Sequence, residues 1–161
     1  MLFRSARCWP SRACILTGYY AQAVRRDAMP GIVGGGNGTR PGWARLLPEY
    51  LRPLGYCCYH SGKWHVDGKP LQNGFDHSYE ILGAGHSNYF KVCAVEDGQP
   101  AVQTPGYYST TAIAEHAIKC LREHAERYAD RPFFSYLAFT APHFPLQAPA
   151  EDIALDRKSV V

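Results

Sequence analysis

The stretch from Thr110 to Phe139 most constrains what this chain can fold into. Ile113, Ala114, Ala117, Ile118, Leu121, Ala125 and Tyr128 recur at helical spacing and make one apolar stripe, with Ser109 or Thr110 placed to cap its start. Asp130-Arg131-Pro132 ends that helix, because the residue before a proline is pushed out of helical backbone. Residues 133–139 then form a seven-residue apolar and aromatic run, the pattern of a buried strand. A long helix thus turns tightly into a strand. Ligand sites in open α/β sheets lie outside the carboxyl ends of the strands, so His143, in the turn Thr140-Ala141-Pro142-His143-Phe144-Pro145, is well placed for chemistry. His116 and His124 lie off the stripe and are expected on the exposed face of the helix.

A second feature opens the chain. Pro10 suits a first helical turn, Ala13 to Leu16 continue it, and Gly18 can end it. Cys8 then sits at the helix N-terminus, where unpaired N–H groups and partial positive charge favour an anion. Arg12 is one turn on at i+4, on the same face.

Between these features the pattern is mixed. Residues 19–42 read as loop, with Met29-Pro30-Gly31 and the glycine run 34–38; no Gly-Lys-Ser/Thr follows, so this is not a phosphate-cradling loop. Arg25-Arg26-Asp27 reads as solvated surface. A short helix is expected to start near Pro48 and stop at Pro53 and Gly55, followed by a strand at residues 56–60. Cys57-Cys58-Tyr59-His60 with His65 resembles a zinc site only loosely, since no Cys-x-x-Cys accompanies it, and buried thiols are the expectation. Residues 66–106, rich in Gly, Asn, Asp and Pro, are expected to be one long functional loop with His77 and His86 at the surface.

Composition narrows the function classes. The 161 residues suffice for one sizeable core, and a net charge of +3, from 17 basic residues scattered among 14 acidic ones, gives no case for nucleic acid. No run long enough to cross a membrane as a helix is present, and six cysteines at this spacing do not make a compact disulfide framework.

Cys8-Trp9-Pro10-Ser11-Arg12 followed by Leu16-Thr17-Gly18 resembles the signature of the type I sulfatases. Gly55-Tyr56 followed by Gly62-Lys63-Trp64-His65 is similar to their second signature, and the segments Asn73-Gly74-Phe75-Asp76 and Ala141-Pro142-His143 match in family order. The resemblance implies an alkaline-phosphatase-like mixed sheet flanked by helices. It also implies that Cys8 is oxidised by the formylglycine-generating enzyme, and that the aldehyde hydrate attacks the sulfur of a sulfate ester. By the same resemblance Arg12 stabilises the hydrate, Lys63 binds hydrate and sulfate, His65 serves the elimination, and His143 helps to protonate the leaving oxygen. Sugar, polysaccharide and aryl sulfates share the reacting group, so the substrate stays open.

The family's Ca2+ is held by carboxylates before the cysteine motif and well after Ala-Pro-His, with Cys8 contributing as formylglycine. Only seven residues precede Cys8 here, none of them acidic. The expectation is therefore a partial catalytic domain over residues 1–155, with 156–161 a non-native or truncated tail, and a chain inactive or nearly so as it stands. Trp9 is bulkier than the small residue the family carries there, which is expected to weaken recognition by the modifying enzyme. The rivals are a phosphonate or phosphodiester hydrolase of the same superfamily, a non-enzymatic sulfate-binding remnant, and a chain that does not fold stably. The resemblance favours a periplasmic or secreted location.

Overall fold

The structure, a computed structural model, describes residues 7–27, 39–83 and 88–157. The Met29-Pro30-Gly31 turn, the glycine run 34–38, His86 and residues 158–161 lie outside the described residues.

Helix α1 (Cys8–Thr17) starts after Arg7, whose backbone is extended, and closes at Gly18, whose φ of 75° lets its N–H donate back to Cys14 O. Helix α2 (Leu47–Leu51) has Pro48 in its first turn and runs into a 3-10 turn, Arg52–Leu54, closed by Gly55 at φ 90°. Strand β1 (Cys57–Lys63) follows, then a 3-10 turn (Pro70–Asn73), β2 (His77–Ile81), β3 (Ala94–Glu96), β4 (Gln99–Pro100), helix α3 (Ser109–Arg127), β5 (Phe133–Ala138) and helix α4 (Ala150–Arg157).

The five strands form one mixed sheet in the order β4-β3-β2-β1-β5. β1 pairs in parallel with both β2 (Tyr59 opposite His77) and β5 (Cys57 opposite Phe133), while β3 and β4 add on antiparallel. β1 is buried along its whole length, and its side chains alternate between two layers. Cys57 and Tyr59 pack with Cys120 of α3, whereas Cys58 packs with Leu16 of α1, Leu46, Trp64 and Phe75. The expected α/β architecture is thus a sheet sandwiched between α3 and the α1–α2 side, and both thiols of the 57–58 pair lie in the core.

At Gly62 the strand requires glycine. A Cβ there would collide with Ala138 O on β5 and come 3.3 Å from Ile113 Cγ2, and φ is +119°. The close approach draws the carboxyl ends of β1 and β5 together and turns the chain as Lys63 leaves the sheet.

Four expectations are corrected. Residues 66–106 are not one loop but carry β2, β3 and β4, because hydrogen bonding to β1 makes strands of short segments with weak patterns. β5 is six residues long and lies at the sheet edge, so Phe133 and Leu137 are 48% and 44% exposed rather than buried. In α3 the buried face is rotated from the predicted stripe: His116 and His124 are buried, while Ile118, Leu121 and Tyr128 are exposed, because polar partners in β1 take the histidines. Neither Ser109 nor Thr110 caps α3; its N-cap is Tyr108, with no side-chain capping bond.

Candidate active site

Three chain segments converge where α1 begins and β1 and β5 end. Arg12 joins them. Its Nη1 donates to Lys63 O at 2.6 Å and to Tyr136 Oη at 3.2 Å, and its Nη2 donates to Phe139 O at 3.2 Å. The guanidinium therefore binds the last residue of β1, a side chain of β5 and the carbonyl just beyond β5. With its donors pinned in this way, Arg12 fixes the first turn of α1, and Cys8 with it, against the strand ends.

Lys63 is 1% exposed, and no hydrogen-bond partner reaches its Nζ. Burial pushes the ammonium below the usual lysine range; the neighbouring Cys8 thiol opposes that shift and Arg12 adds to it. The Cys8 sulfur is thus near enough to act on the charge. A buried cation of this kind is normally paired, and here the surroundings are a helix N-terminus, a guanidinium and a thiol. The arrangement suits an anion.

His65 follows two residues later with φ of 52°, a left-handed backbone that non-glycine residues seldom adopt. Its ring centroid lies 6.5 Å from that of Trp9, next to Cys8 in α1. His143 lies in the turn that leaves β5. Its N–H donates to Thr140 O, its carbonyl accepts from Tyr89 Oη at 2.7 Å, and its Nδ1 donates to Phe144 O at 2.6 Å, which fixes the protonated ring nitrogen. All five site residues read from the sequence thus come from the α1 start and the β1 and β5 exits.

Histidine 60 does not join them. It is fully buried between Trp64, Phe75 and Tyr136, its Nδ1 is 2.9 Å from Ser78 Oγ, and burial, reinforced by Arg12, lowers its pKa to about 3. It is a neutral core residue. His77, half-exposed, pairs with Asp97 at 2.7 Å.

Two contributors escaped the sequence reading. Tyr136 supports Arg12; the signal was a polar-tipped aromatic within an apolar strand, whose hydroxyl needs a partner once buried. Arg26, expected at the solvated surface, is instead only 11% exposed, bonded to Asp67 at 2.9 Å and stacked on the Trp9 ring at 4.2 Å. A charge that finds a carboxylate and an indole can be taken out of solvent.

Calcium does not fit the residues described. Among them no group of three His, Cys, Asp or Glu side chains could hold a metal ion, and the groups around Cys8 are cationic. Asp67 is occupied by Arg26 and by the Arg40 N–H. A hard cation needs about six or more oxygen ligands, and no such set is present among the described residues. No described helix is long and apolar enough to cross a membrane.

The family model described as Sulfatase matches residues 2–160. An uncharacterized sulfatase of Schizosaccharomyces pombe is 33% identical over 92% of this chain and 32% of its own length. Arylsulfatase J of Mus musculus is 30% identical over 88% of this chain and 26% of its own. The crystal structure of Ps i-CgsB in complex with k-i-k-neocarrahexaose superposes with a TM-score of 0.77 at 30% identity, covering 92% of this chain and 37% of that one. A structure in complex with its substrate D-glucosamine-2-N,6-O-disulfate does so with a TM-score of 0.73 at 26% identity, covering 98% of this chain and 29% of the other. The chain spans between a quarter and a third of the length of these curated relatives.

Proposed function

This chain belongs to the sulfatase family, and on that footing we propose that it carries the nucleophile and anion-binding half of a sulfate-ester hydrolase site. The observation that carries the reading is the buried Lys63 ammonium, without a hydrogen-bond partner, beside Cys8 at the α1 N-terminus. Sulfate esters present anionic oxygens to such a site, and their cleavage leaves inorganic sulfate in it.

Cys8 is the residue to be converted to formylglycine, which supplies a hydrate with one hydroxyl for attack on sulfur and a second whose deprotonation later expels sulfate. The residues of this chain do the rest. Lys63 and Arg12 hold negative charge at the head of α1, with the helix N–H groups aimed the same way. His65 takes the proton whose loss releases sulfate, and His143 delivers one to the leaving alcohol from the turn beyond β5. No step is assigned to calcium, since the residues described do not cage it. Sugar sulfates are the favoured substrate class, on the substrate bound in one structural neighbour. Partners are the sulfate ester and the formylglycine-generating enzyme. Residues 1–155 are read as part of a catalytic domain, with no metal cage among the described residues, and the 161-residue chain alone is expected to turn over little or nothing.

Co-expression with the formylglycine-generating enzyme, followed by mass spectrometry of the peptide containing residue 8 and an aryl sulfate assay with added Ca2+, tests both halves. An aldehyde at residue 8 with negligible turnover is expected. Absence of the aldehyde sinks the formylglycine reading, and robust calcium-dependent turnover by the 161-residue chain sinks the reading of it as half a site.

A further inference from the structure

Four contacts close a circuit around His65. The Trp9 ring lies 6.5 Å from the His65 ring, with the planes at 31°. The Arg26 guanidinium stacks on the indole of Trp9 at 4.2 Å. Asp67 holds Arg26 at 2.9 Å, and the backbone from Asp67 returns to His65 in two residues. The ion pair is largely withdrawn from solvent, with 11% of Arg26 and 18% of Asp67 exposed, and Asp67 is further fixed by the Arg40 N–H at 3.0 Å. A partly desolvated guanidinium holds an indole face more firmly than an exposed one.

The circuit meets His65 where the chain turns out of the sheet. The residue has left β1, and its φ of 52° is a conformation that surrounding structure must impose. Trp9 is in the same helical turn as Cys8, so whatever orients the indole also sets the spacing between the α1 start and the His65 ring.

We propose that Trp9, clamped by Arg26 and Asp67, is a positioning residue that holds the His65 imidazole toward the Cys8 end of α1. The proposal rests on the site reading given above. It assigns the bulky residue between Cys8 and Pro10 a role in this chain, and makes Arg26 and Asp67 part of the active-site support.

The His65 imidazole carbon–proton NMR signal of the 161-residue chain, assigned by its loss in His65→Gln, reads the circuit directly. Trp9→Leu, Arg26→Met and Asp67→Asn are each expected to move that signal by more than its line width. Trp9→Phe, which keeps an aromatic face, should recover part of the wild-type position. Arg26→Lys retains the charge pair with Asp67, and with it the fold, but loses the planar stack, so the signal should still move. A cooperatively unfolding Arg26→Lys or Arg26→Met chain with a wild-type His65 signal overturns the clamp. The readout needs neither formylglycine nor turnover, so that result would leave the proposed sulfate-ester chemistry standing. Loss of the sulfatase reading, conversely, would leave the measured clamp intact.

Discussion

Two sets of buried polar groups flank β1, and they differ in whether their bonding is complete. On the α3 face, Tyr59 Oη donates to His124 Nδ1 at 2.9 Å, His124 Nε2 donates to Arg131 O at 3.0 Å, and Ser61 Oγ is 2.7 Å from His116 Nδ1. Near the end of the same strand, Lys63 Nζ has no hydrogen-bond partner. Satisfied groups bolt a helix to a sheet; an unsatisfied cation raises the energy of the folded chain, as the anion-binding role proposed above requires. Two buried histidines, His116 and His124, thus belong to the support of the sheet.

The largest expected effect comes from removing the cation. In any form of the protein that turns over an aryl sulfate, Lys63→Met should lower kcat/KM by about 10²–10³, the usual loss when one preorganised donor is removed. The same substitution should leave thermal stability of the 161-residue chain unchanged or raised. The folded-state pKa of Lys63 is depressed, so the unfolded state binds its proton more readily. Wild-type stability should therefore rise as pH increases from the folded pKa toward the unfolded value of about 10.4, and Lys63→Met should lack that gain. A marked fall in melting temperature for Lys63→Met would break the contrast.

Acid should act through the neutral histidines. Burial lowers His60 to about 3 and also lowers His116, although Glu96 opposes the latter. Unfolded histidines take protons at about pH 6.5, so the stability these two confer is complete above that pH and is lost as pH falls toward their folded values. The slope is at most about 1.4 kcal/mol per pH unit for each group, and urea titrations across pH would show it. His60→Asn should flatten the part of the limb that extends toward pH 3.

Gly62→Ala should cost about 3 kcal/mol through its left-handed backbone and the collision with Ala138 O, read as a lower melting temperature. Ser61→Ala removes the hydroxyl bonded to His116 Nδ1 and should cost about 1–3 kcal/mol. Tyr136→Phe removes one of the bonds to Arg12 and should cost about 0.5–1.5 kcal/mol or less, since Lys63 O and Phe139 O remain. A Ser61→Ala loss smaller than that of Tyr136→Phe would mean that the α3 face is not the better-bonded one.

Much of the fold was legible. The α1 limits follow from Pro10 and Gly18, α2 from Pro48 and Pro53, and α3 and β5 from their apolar runs, because each is coded by local rules of backbone freedom and periodicity. β2, β3 and β4 were not legible: their residues become strands by pairing with neighbours distant in sequence. The burial of β5 was misread for a related reason, since an edge strand and a central one share the same apolar run.

The sequence by itself determined the local elements and, through three motifs in order, nominated the candidate site residues Cys8, Arg12, Lys63, His65 and His143. Tertiary structure alone decided which cations are paired. Arg26 and Lys63 look equally free in the sequence, yet Arg26 finds Asp67 and the Trp9 ring, while Lys63 is buried where no acceptor follows it. Pairing depends on distances between residues far apart in the chain, and local pattern carries no record of those distances.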